Sequence, residues 1–150
     1  MITYKQGNLF DSNCQTLVCT VNCEGVMGKG IALEFKKKFP DMFSAYRAVC
    51  LYSQTQLRQG GDVWLYCYPD TGRQSRILCF ATKGYWRNPS RLEWIERGLQ
   101  KVKSFVTTYN ITSIAFPKLG CTNGGLDWMD VKPLMEKYLN KLDIPVEIYV

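Results

Sequence analysis

The chain has 150 residues, 46% of them hydrophobic and 21% charged, with a formal net charge of +6 and no histidine. That length and balance fit one globular domain over residues 1–150 with a sizeable core, and argue against disorder. No apolar run reaches the roughly 18 residues that a membrane-spanning helix needs. The missing histidine removes every Ser-His-Asp and Cys-His mechanism and the common histidine metal sites.

Ile2 to Lys5 alternates apolar and polar residues and predicts a short first strand. Gly7-Asn8-Leu9-Phe10 reads as a turn that continues as a loop through Asn13. Thr16 to Val21 is β-branched and apolar, the pattern of a strand buried on both faces. Next comes a loop with Gly25, Gly28 and Gly30, running into a basic amphipathic helix. In that helix Ile31, Leu33, Phe35 and Phe39 supply apolar contacts, and Lys36, Lys37 and Lys38 face water. Pro40 and Asp41 end it, with Asp41 expected to cap a second helix that reaches Tyr52. Gly60-Gly61 predicts a turn. Asp62–Tyr68 and Ser75–Thr82 predict two strands joined by PDTGRQ, a length that suits an antiparallel hairpin or a detour between neighbours. A long helix over Ser90–Thr108 carries Leu92, Ile95, Leu99, Val102 and Phe105 on one stripe. Ile111–Phe116 predicts a strand, Pro117–Gly125 a second glycine loop, and a final helix falls within Trp128–Leu142, with Pro133 best placed in its first turn. Val146–Val150 closes the chain as a strand. Alternating strands and helices predict a three-layer α/β domain around a mixed, mostly parallel sheet.

The seven cysteines, Cys14, Cys19, Cys23, Cys50, Cys67, Cys79 and Cys121, are scattered, odd in number and never spaced Cys-x-x-Cys. They read as reduced, mostly buried thiols rather than as disulfides or a zinc site. The N-terminus MITYKQGN has no signal-peptide pattern, so a cytosolic location is expected. The positive charge favours an anionic partner, a nucleotide or nucleic acid, although a modestly basic surface gives the same balance.

Ligands of open α/β sheets bind beyond the C-terminal ends of the strands. Three segments fall there: Asn22–Gly30, Lys83–Arg87 and Pro117–Gly125. Taken alone, the first fits a ligand loop or a structural turn, because Gly25-x-x-Gly28-x-Gly30 matches neither the Walker A nor the dinucleotide pattern. Two glycine loops on one rim suit a diphosphate held between backbone N–H groups. Lys83 reads either as a solvated rim lysine or as an amine acting on a sugar, and Lys29 is its rival as a phosphate contact. Tyr85 and Trp86 fit core packing or stacking on a base.

The opening GNLF, the block TVNCEGVMGKGIALEFKKKFP, the rim ATKGYWR and the loop PKLGCTNGGLDW, in this order, resemble the macro domain, an ADP-ribose-binding α/β/α module. The likeness covers the whole chain and is greatest to the DNA ADP-ribosyl glycohydrolase (DarG) branch, the antitoxin side of DarT/DarG toxin–antitoxin pairs, itself related to terminal ADP-ribose protein glycohydrolase. The resemblance implies hydrolytic removal of ADP-ribose from thymidine bases of DNA, with no metal and no cofactor. Its implied partners are ADP-ribose, ADP-ribosylated DNA and a DarT-type toxin. It implies that Lys83 and Asn22 carry catalysis. Asn8 and Leu9 would lie near the adenine. Gly25, Val26, Met27, Gly28, Lys29 and Gly30 would hold the distal ribose and adjacent phosphate. Leu119, Gly120, Cys121, Thr122, Asn123, Gly124, Gly125 and Leu126 would hold the diphosphate. The chain departs from the family in two places. Asn8 stands where many macro domains bond the adenine amino group with an aspartate. The second loop also has no carboxylate before Asp127, where the human relative uses an aspartate to resolve a lysine–sugar adduct. Release of glutamate-linked ADP-ribose, action on ADP-ribose 1″-phosphate, and non-catalytic ADP-ribose binding remain open beside the DNA reading.

Overall fold

A computed structural model describes residues 1–150. Its elements, in order, are β1 (Ile2–Lys5), a 3-10 turn (Leu9–Asp11), β2 (Thr16–Val21), α1 (Gly30–Lys38), α2 (Pro40–Tyr52), β3 (Val63–Cys67), β4 (Arg76–Ala81), α3 (Leu92–Thr108), β5 (Ile114–Phe116), α4 (Trp128–Leu139) and β6 (Val146–Tyr149). The six strands form one sheet in the order β1-β6-β5-β2-β4-β3. Every neighbouring pair is parallel except the β3–β4 hairpin. This is the mixed, mostly parallel sheet that the alternating elements predict.

The period of two along the strands divides the core between the two faces. Leu17, Cys19 and Val21 of β2, with Ile77, Cys79 and Ala81 of β4, pack against Phe35 of α1 and Met42, Tyr46 and Cys50 of α2. The intervening Val18, Leu78 and Phe80 pack with Ile95, Leu99 and Val102 of α3 and Val131, Met135 and Leu139 of α4. Helices therefore cover both faces, which makes a three-layer α/β/α arrangement. At Gly98 a Cβ would stand 2.1 Å from the Phe80 ring, so α3 lies against β4 closer than any side chain would allow.

Two local expectations need correcting. Asp41 does not cap α2: Phe39 is its N-cap and Pro40 its first residue, where a missing N–H costs nothing. Asp41 still lies in the first turn, where its charge suits the helix dipole. Pro133 lies inside α4, beyond the first turn, because the helix begins at Trp128 behind an Asp127 cap whose side chain accepts from the Met129 N–H. The carbonyl that Pro133 leaves without a helical donor belongs to Met129, which is 81% exposed and so open to water.

Asp62, 5% exposed, fastens the segment before β3 to α3. Its Oδ2 accepts from the N–H groups of Arg58 and Gln59 at 2.7 and 3.1 Å. Its Oδ1 accepts from Arg97 and Lys101 at 3.0 and 2.9 Å. Burial pushes this carboxyl up, but the Lys101 bond and the two backbone N–H groups outweigh it and hold the pKa below the ordinary value. A depressed folded pKa stabilises the fold above the unfolded value, and that stability is lost as pH falls through the folded pKa. Asp62→Asn should cost about 2 kcal/mol at neutral pH, since an amide keeps only one acceptor oxygen and loses the charge. In urea titrations the gap to wild type should begin to narrow as pH falls below about 4 and should close only below the depressed folded pKa. A gap that persists in acid would assign the cost to shape rather than charge.

Candidate active site

β2, β4 and β5 run parallel and end on one edge of the sheet. From that edge β2 leads to the helices on one face, while β4 and β5 lead to the helices on the other. The adjacent pair β5–β2 is therefore a topological switch point, where diverging connections leave a crevice. A cavity of about 490 Å³ opens there.

Of the residues expected to bind or act, Asn22, Val26, Gly28, Lys29, Gly30, Lys83, Gly120, Cys121, Thr122, Asn123 and Gly124 line it. The three predicted rim segments thus converge. Asn8, Leu9, Gly25, Met27, Leu119, Gly125 and Leu126 do not line it. Asn8 caps the 3-10 turn, its Oδ1 accepting from the Phe10 N–H at 2.9 Å. Leu9, Met27 and Leu119 are core residues, 3%, 2% and 0% exposed. Leu126 packs against the α3/α4 core. Gly25 and Gly125 take left-handed backbone, at φ 82° and 79°, and shape their loops without facing the cavity. The physical cause is alternation: each loop turns some residues outward and anchors others in the core beneath.

The first loop is ordered by Asn22. Its Oδ1 accepts from the Glu24 N–H at 2.9 Å and from the Val26 N–H at 3.4 Å. Its Nδ2 donates to the Val26 carbonyl at 2.9 Å. The Tyr46 hydroxyl lies 2.8 Å from the Asn22 carbonyl and 2.9 Å from Oδ1. Most of the Asn22 amide is thus spent on its own loop, and one Nδ2 hydrogen remains to face a ligand. Beyond it α1 starts at the cavity with Lys29 as N-cap, no side-chain cap bond and no acidic residue in its first turn. The N–H groups of Gly30, Ile31 and Ala32 have no intrahelical acceptor and make a site for an anion.

The two glycine loops touch. At Gly30, with φ 63°, a Cβ would stand 2.7 Å from Asn123 Nδ2. The second loop is pinned by Leu126 N–H donating to Gly120 O at 3.0 Å and Ser90 N–H donating to Gly124 O at 2.9 Å. Between the jaws, Lys83 Nζ donates to Asn123 O at 2.8 Å and to Trp86 O at 3.2 Å. An ammonium has a third hydrogen to offer. Burial, then the nearby charge of Lys29, holds the Lys83 pKa below that of an ordinary lysine.

The ionisable lining is one-sided. Lys29, Lys83 and Lys118 face the cavity, and neither Asp nor Glu does. The Cys121 thiol is pushed up by burial, against the opposing effect of Lys118, so it stays protonated and weakly nucleophilic. Cys23, in the first loop but outside the cavity lining, is pushed up to about 12, chiefly by burial. The lining also includes Thr20, Val21, Ile31, Ala32, Thr82, Pro117, Lys118 and Tyr149, which carried no assigned role in the sequence. Pro117 and Lys118 belong to the recognised second loop. Tyr149 arrives only because β6 lies beside β5, which no local pattern reveals.

A strand-end crevice with two glycine loops, an uncapped helix N-terminus and three lysines defines an α/β protein built to hold an anionic, nucleotide-like ligand. The macro domain profile matches residues 18–135, and the chain belongs to the macro domain family. It is 42% identical over 153 residues to a DNA ADP-ribosyl glycohydrolase of Mycobacterium tuberculosis, an alignment covering 99% of this chain and 42% of that protein. The chain thus spans about two fifths of the length of the curated relatives it matches. The macrodomain of Mycobacterium tuberculosis DarG superposes with a TM-score of 0.93 at 41% identity, over 99% of this chain and 97% of that one. Thermosipho africanus DarTG, solved in complex with ADP-ribose, gives a TM-score of 0.89 at 38% identity, over 97% of this chain and 41% of that one.

Proposed function

We propose that this chain is an ADP-ribosyl glycohydrolase that removes ADP-ribose from thymidine bases of DNA, as the antitoxin of a DarT/DarG-type pair. Residues 1–150 act as one macro domain in this reading, and the toxin is its protein partner. The observation that carries the reading is the cavity itself. It is lined by lysines and unpaired backbone donors, with no acid, and Lys83 is clamped between the two loops. The similarity to DNA ADP-ribosyl glycohydrolases, and to a DarTG solved with ADP-ribose, supports this substrate class.

The diphosphate would lie on the N–H groups of Gly30–Ala32 and of the Gly120–Gly124 loop, with Lys29 and Lys118 offsetting its charge. Asn22 holds the first loop in shape. In the hydrolysis, the bond from ribose C1″ to the base nitrogen breaks and its electrons pass to the base. A water oxygen bonds to C1″, and a proton ends on the base. In this reading Lys83, as an ammonium beside Trp86 O, would stabilise the negative charge that grows on the departing base. With no carboxylate in the lining, a lysine–sugar adduct would have no acid there to resolve it. This supports an electrostatic role over a covalent one.

The reading is tested by incubating the protein with a single-stranded oligonucleotide carrying ADP-ribosylated thymidine. Release of free ADP-ribose and of an unmodified oligonucleotide is expected. An intact adduct in the presence of folded protein would overturn the reading. Turnover confined to glutamate-linked ADP-ribose or ADP-ribose 1″-phosphate would move the substrate, and calorimetric binding of ADP-ribose with no turnover would leave a reader.

A further inference from the structure

The segment after Lys83 combines a fixed backbone with free side chains. Asn88 N–H donates to Tyr85 O at 3.1 Å and closes a turn with Trp86 and Arg87 at its centre. Three bonds anchor the segment, one at Gly84 just before the turn and two at Trp86 within it. Cys23 N–H donates to Gly84 O at 2.9 Å, Trp86 N–H donates to Glu24 Oε1 at 2.8 Å, and Lys83 Nζ donates to Trp86 O at 3.2 Å. Yet Tyr85 is 67% exposed and Trp86 41% exposed, at the mouth of the cavity. Single exposed aromatics are ordinary. Two in succession, on a turn tied through both backbone groups of Trp86, are not explained by packing. The Arg87 guanidinium lies over the Trp86 ring, 4.8 Å from its centroid. A guanidinium there is a flat, delocalised group on an indole face, which is also how a nucleobase would sit. Glu24 turns one carboxylate oxygen to the Trp86 N–H, and the side chains at the tip of the turn, Tyr85, Trp86 and Arg87, are aromatic and cationic.

We propose that the Tyr85–Asn88 turn is a platform for unpaired DNA at the cavity mouth, a nucleobase stacking on Trp86 in the place that Arg87 now holds and Arg87 turning to the neighbouring phosphate. This rests on the DNA reading above and adds to it how the strand, as opposed to the ADP-ribose, is held. Only an unpaired base can present its face, because in a duplex both faces are covered by neighbours. The fixed backbone means that little ordering remains to be done on binding. The platform adjoins Lys83 through the backbone, since the Lys83 ammonium donates to the Trp86 carbonyl.

The test has a binding arm and a turnover arm. By fluorescence anisotropy, the folded protein should bind an unmodified single-stranded thymidine oligonucleotide more tightly than the corresponding duplex. Trp86→Ala should weaken this about tenfold, while Trp86→Phe, which keeps a ring face, should restore most of it. Arg87→Gln should reduce the slope of log affinity against log salt by about 0.7, the loss of one phosphate contact on a single strand. In turnover, the ratio of kcat/KM for ADP-ribosylated thymidine within an oligonucleotide to that for the free nucleoside should exceed one. Trp86→Ala should bring that ratio close to one. Equal affinity for duplex, or a ratio and an oligonucleotide affinity untouched by Trp86→Ala, would overturn the platform while leaving the glycohydrolase reading standing. Oligonucleotide binding lost in Trp86→Ala, in a protein that turns over neither substrate, would sustain the platform and remove the glycohydrolase reading.

Discussion

Lys83→Ala should lower turnover of ADP-ribosylated oligonucleotide by at least about a hundredfold, the range of a positioned proton donor or charge, and leave ADP-ribose affinity within a few fold. The separation follows from geometry. Ground-state contacts come mainly from the helix N-terminus and the glycine loops, whereas Lys83 stands between the jaws with two of its hydrogens tied to Asn123 O and Trp86 O. Removing it frees two carbonyls, but Trp86 remains held through Glu24. Calorimetry with ADP-ribose beside single-turnover rates would separate the two effects, and equal losses would make Lys83 a binding residue. The pH profile carries a second check. Burial and Lys29 depress the Lys83 pKa, so a role as ammonium is full at low pH and lost as pH rises through that depressed value. A rate that instead climbs through the same range would identify the neutral amine, and with it nucleophilic attack on the sugar.

Gly124→Ala should cost about 1–3 kcal/mol of stability and about a hundredfold in turnover, with ADP-ribose affinity falling as well. A Cβ at Gly124 would stand 2.3 Å from Gly120 O, 2.3 Å from Ser90 Oγ and 2.8 Å from Gly120 C. Two of these are backbone atoms of the same loop and cannot rotate away. Ser90 N–H also holds the Gly124 carbonyl. The loop must open to admit a methyl group, and its free N–H groups then leave their aim. Gly28→Ala is the contrast, since its Cβ meets only Val26 Cγ1, at 3.6 Å, and should fold with wild-type stability. Chemical denaturation of the pair, followed by ADP-ribose titration, distinguishes a clash within the loop from a group that blocks the ligand. Wild-type stability and affinity in Gly124→Ala would show that the loop gives way freely.

Several elements were legible because their signals are local. The β-branched run of Thr16–Val21 is a strand with those bounds, and the stripe Ile95, Leu99, Val102 lies buried on α3. The rule that ligands gather beyond strand ends placed three segments on one rim, and all three line the cavity. Misreadings arose where a residue's surroundings come from far along the chain. Asp41 and Pro133 were misplaced by a few positions because helix starts depend on how the preceding segment packs. The turn at Asn8 and Leu9 was recognisable, and what only packing shows is that Asn8 Oδ1 caps it and that Leu9 sinks into the core.

By itself the sequence determined the class of fold, the glycine loops, the lysine between them and the exclusion of histidine chemistry, since composition, hydrophobic period and glycine spacing are properties of short stretches. Only the tertiary structure decided the order of strands, which sets β5 beside β2 and opens the crevice, and sets β6 beside β5 and brings Tyr149 to it. It also decided that Met27 and Leu119 turn inward while Gly28 and Gly120 face the cavity, and that Trp86 stands exposed on an anchored turn. Those outcomes rest on pairing between distant segments, where the energy of burial is shared across the sheet and no single stretch carries it.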